Sequence, residues 1–502
     1  MRKKIKKLIP TLFFNMVSFS GAAISVISVG LIVFLFALEF FGAQQKPYMG
    51  IITIVILPTF FLVGIAVILI GMRIENKRRL KTGVIKFPFP ILDFNDSHQR
   101  GKFAFISAVV IFILLTSAFT SFQIYEYTES VEFCGEVCHA VMKPEYTAYM
   151  FSPHAKVTCA ECHVGTGADW YVKSKLTGAY QVYSVLFEKY SRPIPTPVHN
   201  LRPAQGTCEQ CHWPNHFYRD KQVIRTYYMP DEKNTPWTIS LLMKIGGGSP
   251  ETGVTSGIHW HMNINNHVTY TAIDERRQDI PVIRVHRDGT NEDDEYVTTD
   301  EFDKTKLEKG ETRKMDCIDC HNRPTHIYRT PEESINSLMK LGWIPPSLPS
   351  VRTIASSALT KEYKTNDEAM KGIESTVWDN YNLKYPAIAK TRKSEIDSVV
   401  SNLRRTYARN IFPEMKTNWK NFPNNIGHYS YAGCFRCHDG KHVSKKTGKV
   451  LSKDCNLCHT ISSQGQFSEV TSNSIKGLEF KHPIDIGDSW KTMNCNDCHK
   501  GE

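Results

Sequence analysis

Three long apolar runs fill the first quarter of the chain, at residues 12–38, 49–72 and 103–122, and none holds a charged residue. Each is long enough to cross roughly 30 Å of hydrocarbon as a helix. A cleaved leader would have a shorter apolar core and an early small-residue cleavage site, so the first run reads as a retained anchor. Lys and Arg crowd the N-terminus (Arg2, Lys3, Lys4, Lys6, Lys7) and the loop 73–102 (Arg73, Lys77, Arg78, Arg79, Lys81, Lys86, Arg100, Lys102). The loop 42–48 holds only Lys46. By the positive-inside rule the N-terminus and the long loop lie in the cytoplasm, and the chain after residue 122 lies outside.

Beyond about residue 125 the pattern changes, and no further run of that length occurs. Alternating segments at 267–273 and 281–286 predict a small β-hairpin inserted at about 217–312. The glycine-rich stretch 245–257 has neither the lysine nor the strand–helix context of a phosphate loop, so it reads as a plain loop. Thr330-Pro331-Glu332-Glu333 supplies a capping threonine and a proline at the first helical position. Residues 394–411 then carry apolar side chains at helical spacing, so 331–425 is expected to be a helical connector.

The 14 cysteines change the picture most. All fall into pairs followed directly by histidine. Six read C-x-x-C-H: Cys159/Cys162/His163, Cys208/Cys211/His212, Cys317/Cys320/His321, Cys434/Cys437/His438, Cys455/Cys458/His459 and Cys495/Cys498/His499. The first, Cys134/Cys138/His139, has one residue more between its cysteines. Two thiols one turn apart add to the two vinyl groups of a haem, and the adjacent histidine reaches the iron. A disulfide framework would not place histidine after every second cysteine, and a zinc site draws on two separated pairs. Seven covalently bound haem c groups are therefore expected. Thioether formation on the periplasmic side agrees with the orientation read from the charges.

The expected fold is mainly α with little regular structure. Three transmembrane helices (1–125) carry a periplasmic multihaem cytochrome c domain with a haem-packed core and the small β insertion. The first four motifs make a tetrahaem part (126–330), and the last three crowd into a trihaem module (426–502). So little chain per haem cannot bury an ordinary core, which leaves packing to the haems themselves. The formal charge of +11 is no nucleic-acid signal, because much of it flanks the spans and the haem propionates offset the rest.

Low-spin electron-transfer haems need a second axial ligand, usually histidine or methionine. Of 19 histidines, seven sit in motifs and His98 lies in the cytoplasmic loop. The trihaem module has three spare histidines, His428, His442 and His482, and all three are expected as distal ligands. For the first four haems the candidates exceed the sites: His154 and His326 first, then His259, His261 and His216. His199, His267 and His286 stand equally as ordinary polar residues. Met142, three residues after His139, is a candidate for the first haem or a packing methionine.

The segment C-H-A-V-M-K-P-E-Y-T-A-Y-M-F-S-P-H, then T-C-A-E-C-H-V and Asp169-Trp170, resembles the NapC/NirT family of membrane-anchored quinol dehydrogenases. C-E-Q-C-H and C-I-D-C-H-N-R-P-T-H fit that family's third and fourth haem sites. The layout of three spans, tetrahaem part and trihaem tail is similar to the heptahaem inner-membrane cytochromes of metal-reducing bacteria. The resemblance implies oxidation of menaquinol at the outer face and delivery of electrons to periplasmic multihaem cytochromes. It implies that His154 and His326 are haem ligands and that Met142 matches the family's first-haem methionine. The first motif departs from the pattern by its added residue, and the methionine lies one position later. The family's quinone-site lysine and acid fall after the second haem, where this chain has Asp169, Lys173 and Lys175. The alternative for those three is a solvated charged face beside the lipid.

Two rival functions remain at this level. A terminal reductase for nitrite or hydroxylamine would need an open iron position, and no C-x-x-C-K motif is present. A relay would take electrons from another membrane protein and never touch quinone.

Overall fold

The computed structural model describes residues 11–41, 57–83, 94–165, 168–198, 202–213, 220–246, 257–263, 265–289, 293–466 and 476–502. The chain divides into two compact units. One comprises Met1–Glu129 and Val164–Leu176, the other Ser130–His163 and Thr177–Glu502.

The first unit holds three helices long and apolar enough to cross a membrane: α1 (Met16–Phe41), α2 (Leu57–Thr82) and α3 (Ser97–Thr128). Helices α1 and α2 pack through small residues, which let backbones approach closely in lipid. Gly21 lies against Gly64, and Ser18 Oγ donates to the Ile68 carbonyl at 3.1 Å. Helix α2 continues past its apolar stretch into a charged end. There Glu75 accepts from Arg79 Nε at 2.8 Å and Arg78 Nη2 at 3.1 Å. Helix α3 starts at Asp96, whose carboxylate accepts the His98 N–H at 2.9 Å.

In the second unit the first motif runs into helix α4 (His139–Met150). The connector range forms a body of five helices: α6 (Pro331–Lys340), α7 (Val351–Thr360), α8 (Asn366–Lys384), α9 (Pro386–Thr391) and α10 (Lys393–Asn410). Thr330 caps α6 by accepting the Glu333 N–H at 3.1 Å. Helix α10 buries Ile396, Val399, Val400, Leu403 and Tyr407, the i, i+3, i+4, i+7, i+11 stripe of an amphipathic helix. That stripe packs on Ile335, Val351, Ile373 and Val377, so this body has an apolar core of its own.

The β structure exceeds the single small hairpin expected. Strands β1 (Lys221–Tyr228), β2 (Pro236–Met243), β3 (Asn266–Ala272), β4 (Val282–Arg287), β5 (Asp293–Thr298) and β6 (Glu311–Lys314) come from the insertion or its C-terminal edge. Strands β7 (His442–Ser444) and β8 (His459–Gln466) come from the last three motifs. They form two antiparallel sheets, in the order β1-β2-β8 and β6-β3-β4-β5-β7. The insertion thus builds sheet with the C-terminal segment. Strand β1 escapes a pattern search because it is largely exposed and does not alternate cleanly.

Candidate functional site

Local capping chemistry shapes the attachment motifs. In three of them the residue before the first cysteine and the residue before the second bond reciprocally, as a capping box does. Thr158 N–H donates to Glu161 Oε2 at 2.6 Å and Thr158 Oγ1 accepts the Glu161 N–H at 3.3 Å. Asp316 with Asp319, and Asn494 with Asp497, repeat the arrangement around Cys317–Cys320 and Cys495–Cys498. The longer first motif lies in a π-helical turn, Phe133–Val137, whose wider ring absorbs the added residue. Gly135 lets the Tyr146 ring approach there, and Tyr146 Oη donates to Glu136 at 3.1 Å.

The histidines meet in facing pairs, each joining one motif histidine to one from elsewhere in the second unit. Ring centres are 6.2 Å apart for His163 and His326, 6.0 Å for His212 and His154, and 6.3 Å for His321 and His259. They are 5.9 Å apart for His438 and His261, 6.1 Å for His459 and His428, and 6.1 Å for His499 and His482. Metal–imidazole bonds of about 2 Å on either side hold ring centres about 6 Å apart. Among the described residues no group of three or more His, Cys, Asp or Glu converges as a bare metal cage. Paired histidine rings at that separation suit the donor set of a macrocycle-bound iron. The residues present therefore fit haem.

Hydrogen bonds fix the tautomers of several of these rings. A carbonyl oxygen only accepts, so a ring nitrogen against one must carry the proton. Nδ1 donates to a backbone carbonyl in His261 (Ile258, 2.9 Å), His326 (Glu145, 3.0 Å) and His438 (Ser452, 3.2 Å). That leaves Nε2 as the bare donor, the usual support behind a ligating histidine. Burial also keeps the rings neutral. It pushes His259 and His428 down to about 4, with the facing His321 and His459 lowering them further. Burial likewise lowers His163, His261, His321, His326, His438, His459 and His499.

Several thiols sit motif against motif. Cys159 is lowered first by a hydrogen bond with Cys134. Burial raises others, with a thiol of an adjoining motif adding to it. Cys162 feels Cys208, Cys317 (about 11) feels Cys208, and Cys320 (about 12) feels Cys434. Cys437 (about 12) is raised by burial and feels Cys320, Cys458 (about 11) feels Cys434, and Cys495 feels Cys455. Neutral thiols fit haem attachment better than a metal cage, whose ligand would be the thiolate.

The two thiols of a motif are not equivalent, as two of the expected attachment cysteines show. Cys138 does not share the turn that holds Cys134. The added residue pushes it past the π-helical turn to the cap position, at φ −98° and ψ 36°. There its carbonyl accepts the Val141 and Met142 N–H groups at 3.0 and 2.9 Å, so Cys138 opens helix α4. Cys211 is exposed, whereas its mate Cys208 is half-buried. It ends the 3-10 turn Cys208–Gln210, with its N–H donating to the Cys208 carbonyl at 3.2 Å. Side chains three apart on such a turn eclipse, so the two sulfurs still share one side.

The other ligand candidates lie in different settings. His442, expected as a distal ligand, is buried in β7 with both ring nitrogens engaged: Nε2–H donates to the Ile280 carbonyl at 2.7 Å, and Nδ1 meets Asp439 at 3.0 Å. Opposite His438 stands His261, from the insertion. Counting spare histidines within the C-terminal module missed this, because the fifth motif's partner lies far upstream. His267 and His286 are a cross-strand pair on β3 and β4, stacked at 5.7 Å, and both meet Asp288. His199 and His216 lie outside the described residues. His139 enters no facing pair among the described residues. Met142 sits three residues on in the same helix, on the same face, so the two are alternatives and not an opposed pair.

The remaining candidates lie on helix α5 (Ala168–Leu186). Lys175 pairs with Glu129, the residue that ends helix α3. Lys173 places its ammonium over the Trp170 ring, 4.9 Å from its centre. Asp169 is in the helix, but its side chain lies outside the described residues. Glu129 was not singled out from sequence, although it is the second acid after the third apolar run and close to its end.

Comparisons with known proteins converge on one family. The N-terminal region of the NapC/NirT cytochrome c family matches residues 97–194. The cytochrome c-type protein ImcH of Geobacter sulfurreducens is 44% identical over 489 residues, covering 97% of this chain and 95% of that protein. No solved structure matches. With capped C-x-x-C-H turns, paired histidines and a relative similar along nearly its whole length, this chain belongs to the NapC/NirT cytochrome c family of electron-transfer proteins that carry covalently bound haem c.

Proposed function

We propose that the chain oxidises menaquinol at the outer face of the inner membrane and passes the electrons through seven c-type haems to periplasmic multihaem cytochromes. The motif cysteines, Cys138 and Cys211 included, are the attachment points. The observation that carries this reading is the set of six facing histidine pairs, each with one member in an attachment motif. Bound haem supplies one-electron redox chemistry; the protein supplies ligands, spacing and burial. Paired imidazoles leave no open position for a substrate at those six sites, which favours electron transfer over a terminal reductase. Thiols of successive motifs lie near enough to influence one another from Cys134 to Cys495, which suits a linear relay entered at the first motif and left at the seventh.

The three apolar helices act as the anchor, with the N-terminus cytoplasmic and the second unit periplasmic. Asp169, Lys173 and Lys175 form the quinol site, joined by Glu129. Lys175 and Glu129 hold and release the protons that leave the quinol hydroxyls, as a positioned acid–amine pair can. In a relay without a quinone site these groups would be only a charged face.

The test is anaerobic reduction of the purified full-length protein by a menaquinol analogue, followed optically, with intact mass measured on the same sample. A mass exceeding the bare chain by seven haems, with rapid reduction, is expected. A bare-chain mass overturns the haem reading. Seven haems with no reduction by quinol overturns the quinol reading and leaves the relay.

A further inference from the structure

Between β2 and β3 the chain makes a five-residue 3-10 turn, Ile258–Met262, that carries two of the paired histidines. His259 stacks parallel to His321, with planes 3° apart, and His261 faces His438 at 77°. His321 closes the fourth motif and His438 the fifth, so one short turn serves both sides of the long cysteine-free stretch between Cys320 and Cys434. The two motifs also meet directly. Arg436 Nη2 donates to the Asp319 main-chain carbonyl at 2.7 Å, and Asn425 Nδ2 donates to the same oxygen at 3.0 Å.

The turn is held firmly. Ile258 N–H donates to the Lys244 carbonyl at 2.8 Å, His259 N–H to Ile245 at 2.9 Å, and Asn266 Nδ2 to the Trp260 carbonyl at 2.8 Å. Gly257 enters it at φ +94°, and a Cβ there would collide with the Lys244 carbonyl. The Trp260 ring between the two histidines packs into the cluster of Val268, Tyr270 and Ile283. Lys244 N–H in turn donates to the Cys458 carbonyl of the sixth motif at 2.8 Å.

Given haem at each motif, as proposed above, we propose that the Ile258–Met262 turn is a two-headed ligand clip: His259 is the distal ligand of the fourth haem and His261 that of the fifth. Residues two apart on a 3-10 helix point in different directions while their backbones are only about 4 Å apart along the axis. Each histidine can therefore face its own partner, and the crossing from the tetrahaem part to the trihaem tail is fixed by a stretch of chain rather than by docking of two modules. The Trp260 anchor keeps both rings in register.

The test uses the full-length, membrane-extracted protein with His259→Met, His261→Met and the double variant, and His267→Met on β3 as control. Intact mass counts haems, and optical redox titration with electron paramagnetic resonance reads ligation. Each single variant is expected to keep seven haems and to convert one low-spin centre to histidine–methionine ligation, at higher potential. The converted centre should differ between the two, and the double variant should convert both. The control should convert none. Should a methionine variant lose haem, the matching glycine variant with added imidazole is expected to recover the low-spin signal. Unchanged iron signals in both variants, the same centre altered in both, a change in the control, or no recovery with imidazole would overturn the clip. Seven haems in the mass would still leave the electron-transfer reading standing, whereas a bare-chain mass would remove that reading itself.

Discussion

Arg323 reaches the carboxylate of Glu145, 178 positions earlier in the chain, with Nη2 3.3 Å from Oε2. The same glutamate accepts the His326 Nδ1–H through its main-chain oxygen at 3.0 Å. Its carboxylate lies 3.2 Å from that nitrogen. The Arg323 guanidinium is covered by the Tyr328 and Phe422 rings, whose centres lie 5.0 and 4.4 Å away. The helix that follows the first motif thus orients the histidine that faces the second.

Arg323 is only 7% exposed and Glu145 17%. Removing one partner of a pair this buried leaves the other charge uncompensated, at a cost of about 3–5 kcal/mol. Glu145→Ala and Arg323→Ala should each lower the denaturant midpoint steeply, and the double variant should lose less than the sum. Strict additivity in that cycle would show that the two side chains are not coupled. Glu145→Ala should also alter the low-spin signal of the centre that His326 serves.

Lys175 and Glu129 give the clearest test of quinol chemistry. Proton transfer through a positioned side chain contributes about 100-fold or more to rate. Lys175→Met and Glu129→Gln are expected to slow reduction by a menaquinol analogue by about that factor, while reduction by dithionite stays as fast as in wild type. Lys173→Met should matter less, because that ammonium rests on the Trp170 face, whereas Lys175 holds the Glu129 carboxylate. Stopped-flow mixing under argon separates the cases. Equal slowing with both reductants would point to damaged haem ligation and not to a quinol site.

Much of this molecule is legible in its sequence, because the signals are local. Apolar runs mark α1 to α3, thiol–histidine spacing marks the attachment turns, and the stripe from Ile396 to Tyr407 marks α10. Long-range pairing is what sequence hides. Nothing near His438 says that His261 faces it, because four strands of one sheet and a helical body separate them in the chain. By count alone His442 is a spare ligand, yet its ring is satisfied by Asp439 and by the Ile280 carbonyl just ahead of β4. Spacing also treats the cysteines of a motif alike, and it misses that Cys138 opens a helix and that Cys211 faces solvent. The insertion looks smaller in sequence than it is because β1 is mostly exposed and β8 lies beyond the helical body, where no local pattern ties it to β2.

The helical body should tolerate loss of stability without loss of ligation. Leu403 is fully buried among Ile335, Val351 and Ile373, in a cluster that contains none of the attachment cysteines. Leu403→Ala removes that packing and leaves a cavity, costing about 2–5 kcal/mol. The denaturant midpoint should fall while haem content and redox profile match wild type. Loss of haem from Leu403→Ala would mean that this core supports the attachment motifs after all.

His442 carries a pH dependence whose sign follows from its surroundings. Burial alone would lower its pKa, but the hydrogen bonds to Asp439 and the Ile280 carbonyl outweigh burial, and the folded-state value is raised above 6.5. The fold therefore favours protonated His442. The stabilisation is complete below the unfolded value of about 6.5 and is lost as pH rises through the raised folded value. Hydrogen bonds to charged groups contribute about 1.5–3 kcal/mol. His442→Gln should thus cost more stability at pH 6 than at pH 9, with all haems and low-spin signals retained. A penalty independent of pH would refute the charged pair with Asp439. Conversion of one low-spin centre in His442→Gln would return that histidine to the role its position in the sequence first suggested, as a distal iron ligand of the trihaem module.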